Sequence, residues 1–261
     1  MTERDGWLGV QTGAEHILIL GGTREARMMA ETLARHGLRV TYALHSPTGT
    51  VAPPHGCELH VGSFGGENGL VVFIKEKGVT VFANALHPHA VVMQRRAQSI
   101  AQMTGVPYFR LERSLWQPEA GDNWQEFEWV EELNHAVRDA RHRKLFLTVG
   151  PQALRVFHPL SQGAELVARR FDARRGDQMD FVTWINGLPN PSLDDEIALF
   201  SELKIGALVT KNSGGTRPKK LDAAVHLNLP VYMLRPQPLE GPSYSDWQKM
   251  SDAILAVTVS G

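Results

Sequence analysis

The sequence predicts an α/β fold of two Rossmann-like halves, each built on a parallel sheet, with a cleft between them. Three observations carry this. The apolar run His16–Leu20 (HILIL) feeds Gly21-Gly22-Thr23 and then a helical pattern. Short apolar runs and amphipathic stretches keep alternating after it. The alternation breaks at Ser114–Asp122 (SLWQPEAGD), rich in turn formers and acids, and then resumes.

In the first half, Ala26, Met29, Ala30, Leu33 and Ala34 share one helix face, and Gly37 stops the helix. Leu38–Leu44 is the second strand, so strand, glycine turn, helix and strand form a parallel βαβ unit. Leu70–Lys77 and His89–Thr104 read as helices, with Val79–Ala83 and Val106–Leu111 as strands. In the second half, Glu131–Arg141 is a helix and Lys144–Val149 a strand; Gly150–Phe157 is a turn opening a helix. Glu165–Arg170 and Val182–Ile185 follow as strands. Ser192 with Asp195 starts a capped helix to Leu203. Strands at Ala207–Lys211 and Pro230–Leu234 flank a helix at Lys219–Leu227, and Tyr244–Leu255 closes the chain as a helix. The expected organisation is an extension over 1–15, a cofactor domain over 16–115 and a second Rossmann-like domain over 116–261.

Lys and Arg total 27 against 28 Asp and Glu, a net charge of -1, so no overall field draws nucleic acid or an anionic membrane. The basic runs Arg138–Lys144 and Arg169–Arg175 carry aspartates and no aromatic stacking pattern, and read as solvated faces. Cys57 is the only cysteine, which excludes an internal disulfide and a CxxC metal site. Residues 1–15 lack the features of a secretory signal, and no apolar stretch approaches the roughly 18 residues of a membrane span. A cytoplasmic protein without bound metal is expected, as a monomer or weak dimer.

The candidate site residues fall in loops after strands, the ligand-facing edge of an open α/β sheet. Gly21, Gly22, Thr23 and Arg24 open a helix whose unpaired N–H groups and dipole suit phosphate, although packing alone also explains a Gly-Gly turn. The loop Leu44–Thr50 has no carboxylate for a ribose 2′-OH. It is either an ordinary polar loop or one whose Ser46 and Thr48 donate to a 2′-phosphate, which points to NADPH. Gly65 lies in the glycine-rich loop Gly62–Gly66, a turn or a cofactor flank. Asn84 and His87 lie where a strand hands over to a helix; His87 is either a helix-start histidine satisfied by backbone or a substrate contact or proton donor, and His89 is a helix-start residue. Lys211, Asn212, Ser213 and Gly214 combine lysine, amide, hydroxyl and glycine as an anion cradle, the alternative being a solvated loop with a Gly-Gly turn; Arg217, Lys219 and Lys220 extend its charge.

These loops, in this order, resemble the precorrin-6A reductase family of corrin-ring biosynthesis. The resemblance rests on Ile17–Glu25 (ILILGGTRE), Gly62–Gly66 (GSFGG), His87-Pro88 with Ala90, Tyr108–Arg113 (YFRLER) with Trp116, and Leu145–Gly150 (LFLTVG). Asp195-Glu196, Leu208–Gly215 (LVTKNSGG) and Lys220–Ala224 extend it over about residues 16–235. It implies NADPH and a tetrapyrrole in the interdomain cleft, with hydride delivered to one carbon of a ring C=C bond and a proton added to its neighbour, and no metal. The carboxylate-fringed substrate would meet Arg110, Arg113, Lys211 and Arg217, beside Asn84. The chain departs from the family pattern at Asn84, Leu86 and His89, at Asn186–Pro191, and at Pro151. Two other readings are an NADPH reductase of another tetrapyrrole or small substrate on this scaffold, and a nucleotide-binding regulator without turnover. A short-chain dehydrogenase is excluded: no tyrosine has a lysine four places on.

Overall fold

The computed structural model describes residues 15–45, 52–170 and 179–259. It contains two parallel sheets. The first takes β1 (His16–Leu20), β2 (Arg39–Leu44), β3 (Glu58–Val61), β4 (Val81–Asn84) and β5 (Tyr108–Arg110) in the order β3-β2-β1-β4-β5. Its helices are α1 (Arg24–Arg35), α2 (Gly66–Glu76) and α3 (Val91–Thr104). β1 is buried along its whole length, as a central parallel strand covered on both faces must be.

The second sheet takes β6 (Trp124–Phe127), β7 (Lys144–Thr148), β8 (Glu165–Arg170), β9 (Thr183–Asn186), β10 (Ala207–Lys211) and β11 (Val231–Leu234). Their order is β6-β11-β10-β7-β8-β9. Around it lie α4 (Val130–Ala140), the single turn α5 (Pro151–Leu154), a 3-10 segment (Arg155–Gln162), α6 (Leu193–Glu202) and α7 (Lys219–His226). Each sheet has a hydrophobic cluster on both faces. Among the described residues no helix is long and apolar enough to cross a membrane.

The expected α/β architecture is therefore present, with two differences from the sequence reading. β3 and β6 are edge strands whose sequences, ELHV and WQEF, are mostly polar or half-exposed, so they carry no apolar-run signature. The closing helix α8 (Trp247–Val259), expected in the second half, packs on α1 instead. Met250 and Ile254 are fully buried in the same cluster as Met29 and Leu33. The chain returns to the first sheet at Tyr244, which bridges Leu111 in parallel through Glu112 N–H to Tyr244 O and Tyr244 N–H to Arg110 O, both 2.8 Å. The first domain's core thus needs residues from the far end of the chain.

One glycine inside α2 is set by packing. A Cβ at Gly69 would overlap the carbonyl oxygen of Phe64, which the glycine-rich loop lays against the helix. Alanine normally gains about 1 kcal/mol over glycine in a helix. Here overlap with backbone outweighs that, so Gly69→Ala should destabilise the protein by about 1–3 kcal/mol in chemical denaturation. An unchanged or raised midpoint would contradict the packing.

Candidate active site

The linker between the sheets and the loop after β10 are locked together by the side chain of Asn212, which is 0% exposed. Its Oδ1 accepts from Trp116 N–H at 3.0 Å and Gly214 N–H at 3.2 Å, and its Nδ2 donates to Trp116 O at 2.9 Å. Trp116 Nε1 donates to Gly215 O at 3.0 Å, and Gly215 N–H to Ser114 O at 3.0 Å. Gly214 has φ +63°, and a Cβ there would stand 2.7 Å from Ser114 O, so only glycine allows the approach.

Two more contacts join the loop to the first sheet. His89 Nε2 donates to Asn212 O at 2.9 Å, and Arg113 donates to Ser213 O at 3.4 Å while pairing with Glu25 of α1 at 2.5 Å. The loops after β1, β4, β5 and β10 thus meet at one place, between the carboxyl ends of the two sheets.

His87 lies at this junction. Its Nδ1 accepts the His89 N–H at 3.2 Å, leaving the ring proton on Nε2. Gln94 Nε2 holds the loop by donating to His87 O at 3.0 Å and Pro88 O at 3.1 Å. Burial, then the cations Lys211, Arg113 and Lys220 and neighbouring His89, push the His87 pKa down to about 3. The ring is therefore neutral at physiological pH. It offers an Nε2–H hydrogen bond, which suits the substrate-contact role expected from sequence better than the proton-donor role. His89, expected merely to start a helix, is an interdomain tie, and burial lowers its pKa to about 4.

Lys211 ends β10 with its Nζ against the Gly150 turn; a Cβ on Gly150 would be 3.6 Å away. Burial lowers its pKa, and no carboxylate opposes that. Beside it, Lys220 Nζ donates at 2.7 Å to both Thr148 Oγ1 and Thr210 Oγ1. Its pKa is pushed down to about 7 by burial first, then by Lys211 and Arg169, with Glu196 opposing. Two buried ammonium groups and a neutral imidazole, with no acid paired to Lys211 among the described residues, make a site suited to an anion.

Several residues expected to bind ligand are committed elsewhere. Arg110, 3% exposed, donates to Leu239 O and Gly241 O at 3.2 and 2.9 Å and pairs with Glu112 at 3.1 Å. Arg217 is held by Asp122 at 2.6 Å and Asp222 at 2.8 Å, over the Trp124 ring. The Asn84 amide donates to Tyr108 OH at 2.9 Å and accepts from Leu86 N–H at 3.2 Å. Arg217, Asn84, the side chain of Asn212 and Gly214 have their polar or steric capacity spent on the fold, whereas Arg110 keeps a buried Nη1 without a partner among the described residues. Arg113 is largely spent on Glu25. Ser213 Oγ bonds only its own loop, donating to Lys211 O at 3.5 Å. Gly65 is the left-handed N-cap of α2 at φ +83°. Ser46 and Thr48 lie outside the described residues.

A family model described as "Precorrin-6x reductase CbiJ/CobK" matches residues 16–256. The chain belongs to that family. It is 35% identical to precorrin-6A reductase of Rhodococcus erythropolis over 226 residues, covering 85% of this chain and 90% of the relative. It is 33% identical to precorrin-6A reductase of Sinorhizobium sp over 239 residues, covering 87% of each. A solved structure titled CobK precorrin-6A reductase superposes with a TM-score of 0.83 at 29% identity, over 94% of this chain and 97% of that one.

A precorrin-6x reductase family member is an oxidoreductase, which implies a nicotinamide cofactor. The β1–α1 turn fits such a cofactor's phosphates. Gly22 is exposed at φ +108° and Arg24 is exposed beside it, at the N-terminus of α1. Thr23 is the N-cap: it accepts from Ala26 N–H at 3.1 Å and donates to Ala85 O at 3.1 Å, so its side chain shapes the turn. Gly21 is glycine because a Cβ would overlap the ring of Tyr42, whose hydroxyl accepts the Gly22 N–H at 2.9 Å. The N–H groups of Arg24 and Glu25, at the first turn of α1, have no partner within the helix.

Sequence reasoning missed Thr148 and Thr210, and gave Lys220 no more than a share, with Arg217 and Lys219, in the charge around the cradle. Nothing in KKLDAAVH distinguishes Lys220 from its exposed neighbour Lys219; only the parallel pairing of β7 with β10 places two threonines under its ammonium.

Two outcomes follow. Asn212→Ala strands three buried backbone groups and should cost about 2–4 kcal/mol in chemical denaturation; a loss below about 0.5 kcal/mol would show that the amide clamps nothing. Separately, the unfolded chain takes protons on histidine near pH 6.5, whereas folded His87 and His89 resist until about 3 and 4. Stability is therefore retained above pH 6.5 and lost as pH falls toward 4. His87→Gln should flatten that loss in thermal melts, and an unaltered slope would contradict the buried neutral ring.

Proposed function

We propose that this protein reduces one C=C bond of a precorrin-6A-type macrocycle with NADPH, in the cleft between the carboxyl ends of the two sheets. The observation that carries the reading is the pair of buried cations, Lys211 and Lys220, beside neutral His87, at the meeting point of the loops after β4, β7 and β10. A macrocycle fringed with acetate and propionate groups supplies the charge that this site lacks.

Roles divide by position. The turn Gly21-Gly22-Thr23-Arg24 receives the cofactor's phosphates on the backbone N–H groups of α1, with Arg24 as an added cation. Arg27 donates to Ala52 O at 2.6 Å and Pro53 O at 3.0 Å, so it braces the loop after β2 where a 2′-phosphate would lie. That loop carries no acid between Leu44 and Thr50, which favours NADPH over NADH. Lys211 meets a carboxylate or phosphate oxygen, and His87 donates its Nε2–H to the macrocycle. When bound, the nicotinamide supplies the hydride. The protein holds two flat partners in register and keeps water away from the reacting carbons.

Anaerobic mixing with NADPH and precorrin-6A should oxidise the dinucleotide and shift the pigment's absorption; no change in either signal would refute the assignment. Fluorescence titration at one ionic strength should show tighter binding of NADPH than NADH, and equal affinity would refute the cofactor choice. Lys211→Ala should weaken ligand binding by roughly 10- to 150-fold, the worth of one charge-assisted contact, without lowering the melting midpoint. Unchanged affinity for both cofactor and macrocycle would remove Lys211 from the site.

A further inference from the structure

Reduction of a C=C bond needs a proton as well as a hydride, and neutral His87 is poorly suited to give one. Lys220, Thr148 and Thr210 form a closed triangle at the carboxyl edge of the second sheet. Lys220 Nζ lies 2.7 Å from each hydroxyl, and the hydroxyls lie 2.8 Å apart. An ammonium and two hydroxyls carry five protons, while the triangle has three edges to fill. One N–H and one O–H must therefore point outward. Thr210 is 0% exposed, whereas Thr148 is only half-buried at the last position of β7. At rest Thr148 donates to Thr210; turning the Thr148 O–H outward, with Thr210 donating to Thr148 in exchange, keeps all three edges of the triangle filled and frees the proton of the less buried hydroxyl.

From this geometry we propose that the Thr148 hydroxyl donates the proton of the reduction and that Lys220 acts through it, resupplying Thr148 from its ammonium. This rests on the function proposed above. The Thr148 O–H bond breaks as a C–H bond forms on the carbon next to the hydride acceptor. In the same event an N–H proton of Lys220 passes to Thr148 Oγ1, leaving a neutral amine. The hydride comes from NADPH, giving NADP⁺, and the amine regains its proton from water after turnover. A threonine hydroxyl alone is far too weak an acid for the step, whereas an ammonium that titrates close to neutrality matches the pH at which it must work.

The groups facing Lys220 set that match. Lys211 on β10 and Arg169 on β8 favour the neutral amine, and Glu196 on α6 favours the ammonium. Arg169 already holds Glu196 in a buried bidentate pair at 2.6 and 2.9 Å, so the carboxylate is only partly available to Lys220. Across the cleft, Lys220 contributes to keeping His87 neutral.

The test compares wild type, Lys220→Arg, Lys220→Met and Thr148→Val in single-turnover NADPH oxidation with precorrin-6A from pH 5.5 to 9. A parallel NMR titration follows lysine side chains labelled at Cε in the cofactor-free protein. Wild type should lose rate as pH rises through about 7, with one lysine resonance titrating in that range and missing from both Lys220 variants. Thr148→Val is nearly isosteric and should lower the rate constant roughly 100-fold while KM changes little. Lys220→Arg retains charge but cannot release a proton; it should be about as slow and should lose the limb near neutrality. If Lys220→Arg restores the wild-type rate, or Thr148→Val keeps both rate and profile, the relay is wrong and the lysine is only a charge. A lysine resonance titrating only above pH 10 would overturn it independently of turnover. Absence of turnover in wild type would overturn the proposed function and this inference together.

Discussion

Everything in the cleft depends on the buried amide of Asn212. By taking both hydrogen-bonding groups of Trp116 and the N–H of Gly214, it joins the linker between domains to the loop that follows β10. His89 and Arg113 then tie the first sheet to the same loop, one through a backbone carbonyl and one through an ion pair with α1. Parallel sheets place their ligand-facing loops at the carboxyl ends of the strands. The Asn212 clamp turns two such edges toward each other, and the cations of one sheet come to lie beside the histidine of the other.

The fixed geometry has an electrostatic consequence. Lys211 and Lys220 lie in a partly desolvated site with no carboxylate on Lys211 among the described residues; burial lowers both lysine pKa values, and Lys211 and Arg169 lower that of Lys220 further. Such a site costs folding energy and is relieved by an anionic ligand. The acids close at hand are occupied: Glu25 by Arg113, Asp122 by Arg217, and Glu196 by Arg169. Among the described residues Lys211 is thus left without a paired acid, and Lys220 with only the shared Glu196, while the arginines hold the architecture.

Much of this was legible in the sequence because parallel strands are short apolar runs and glycine turns mark their ends. β1, β8 and β10 agree with the sequence reading at both ends, and the other central strands agree to within two residues. Edge strands β3 and β6 were not legible, since half-exposed strands need not be apolar. The return of α8 to the first sheet could not be read either, because a helix's apolar face does not name its partner. In the site, loops were easier to identify than roles. Arg110, Arg217 and Asn84 have the chemistry of ligand-binding residues, but their partners, Leu239 and Gly241 carbonyls, Asp122 and Tyr108, are distant in sequence. Lys220 was obscured for the opposite reason: an ordinary basic residue acquires its acidity only when β7 and β10 bring two threonines together beneath it.

In the proposed reaction the cleft passes a hydride from a nicotinamide to a macrocycle carbon, and the neighbouring carbon takes a proton supplied by the protein. The most direct measurement is mass spectrometry of the pigment formed anaerobically from precorrin-6A and NADPH deuterated at the nicotinamide C4 in each stereochemistry. The prediction is one deuterium in the product from one stereoisomer and none from the other, with the second added hydrogen derived from solvent. A product with no deuterium from either isomer, or an unchanged macrocycle, would contradict the account.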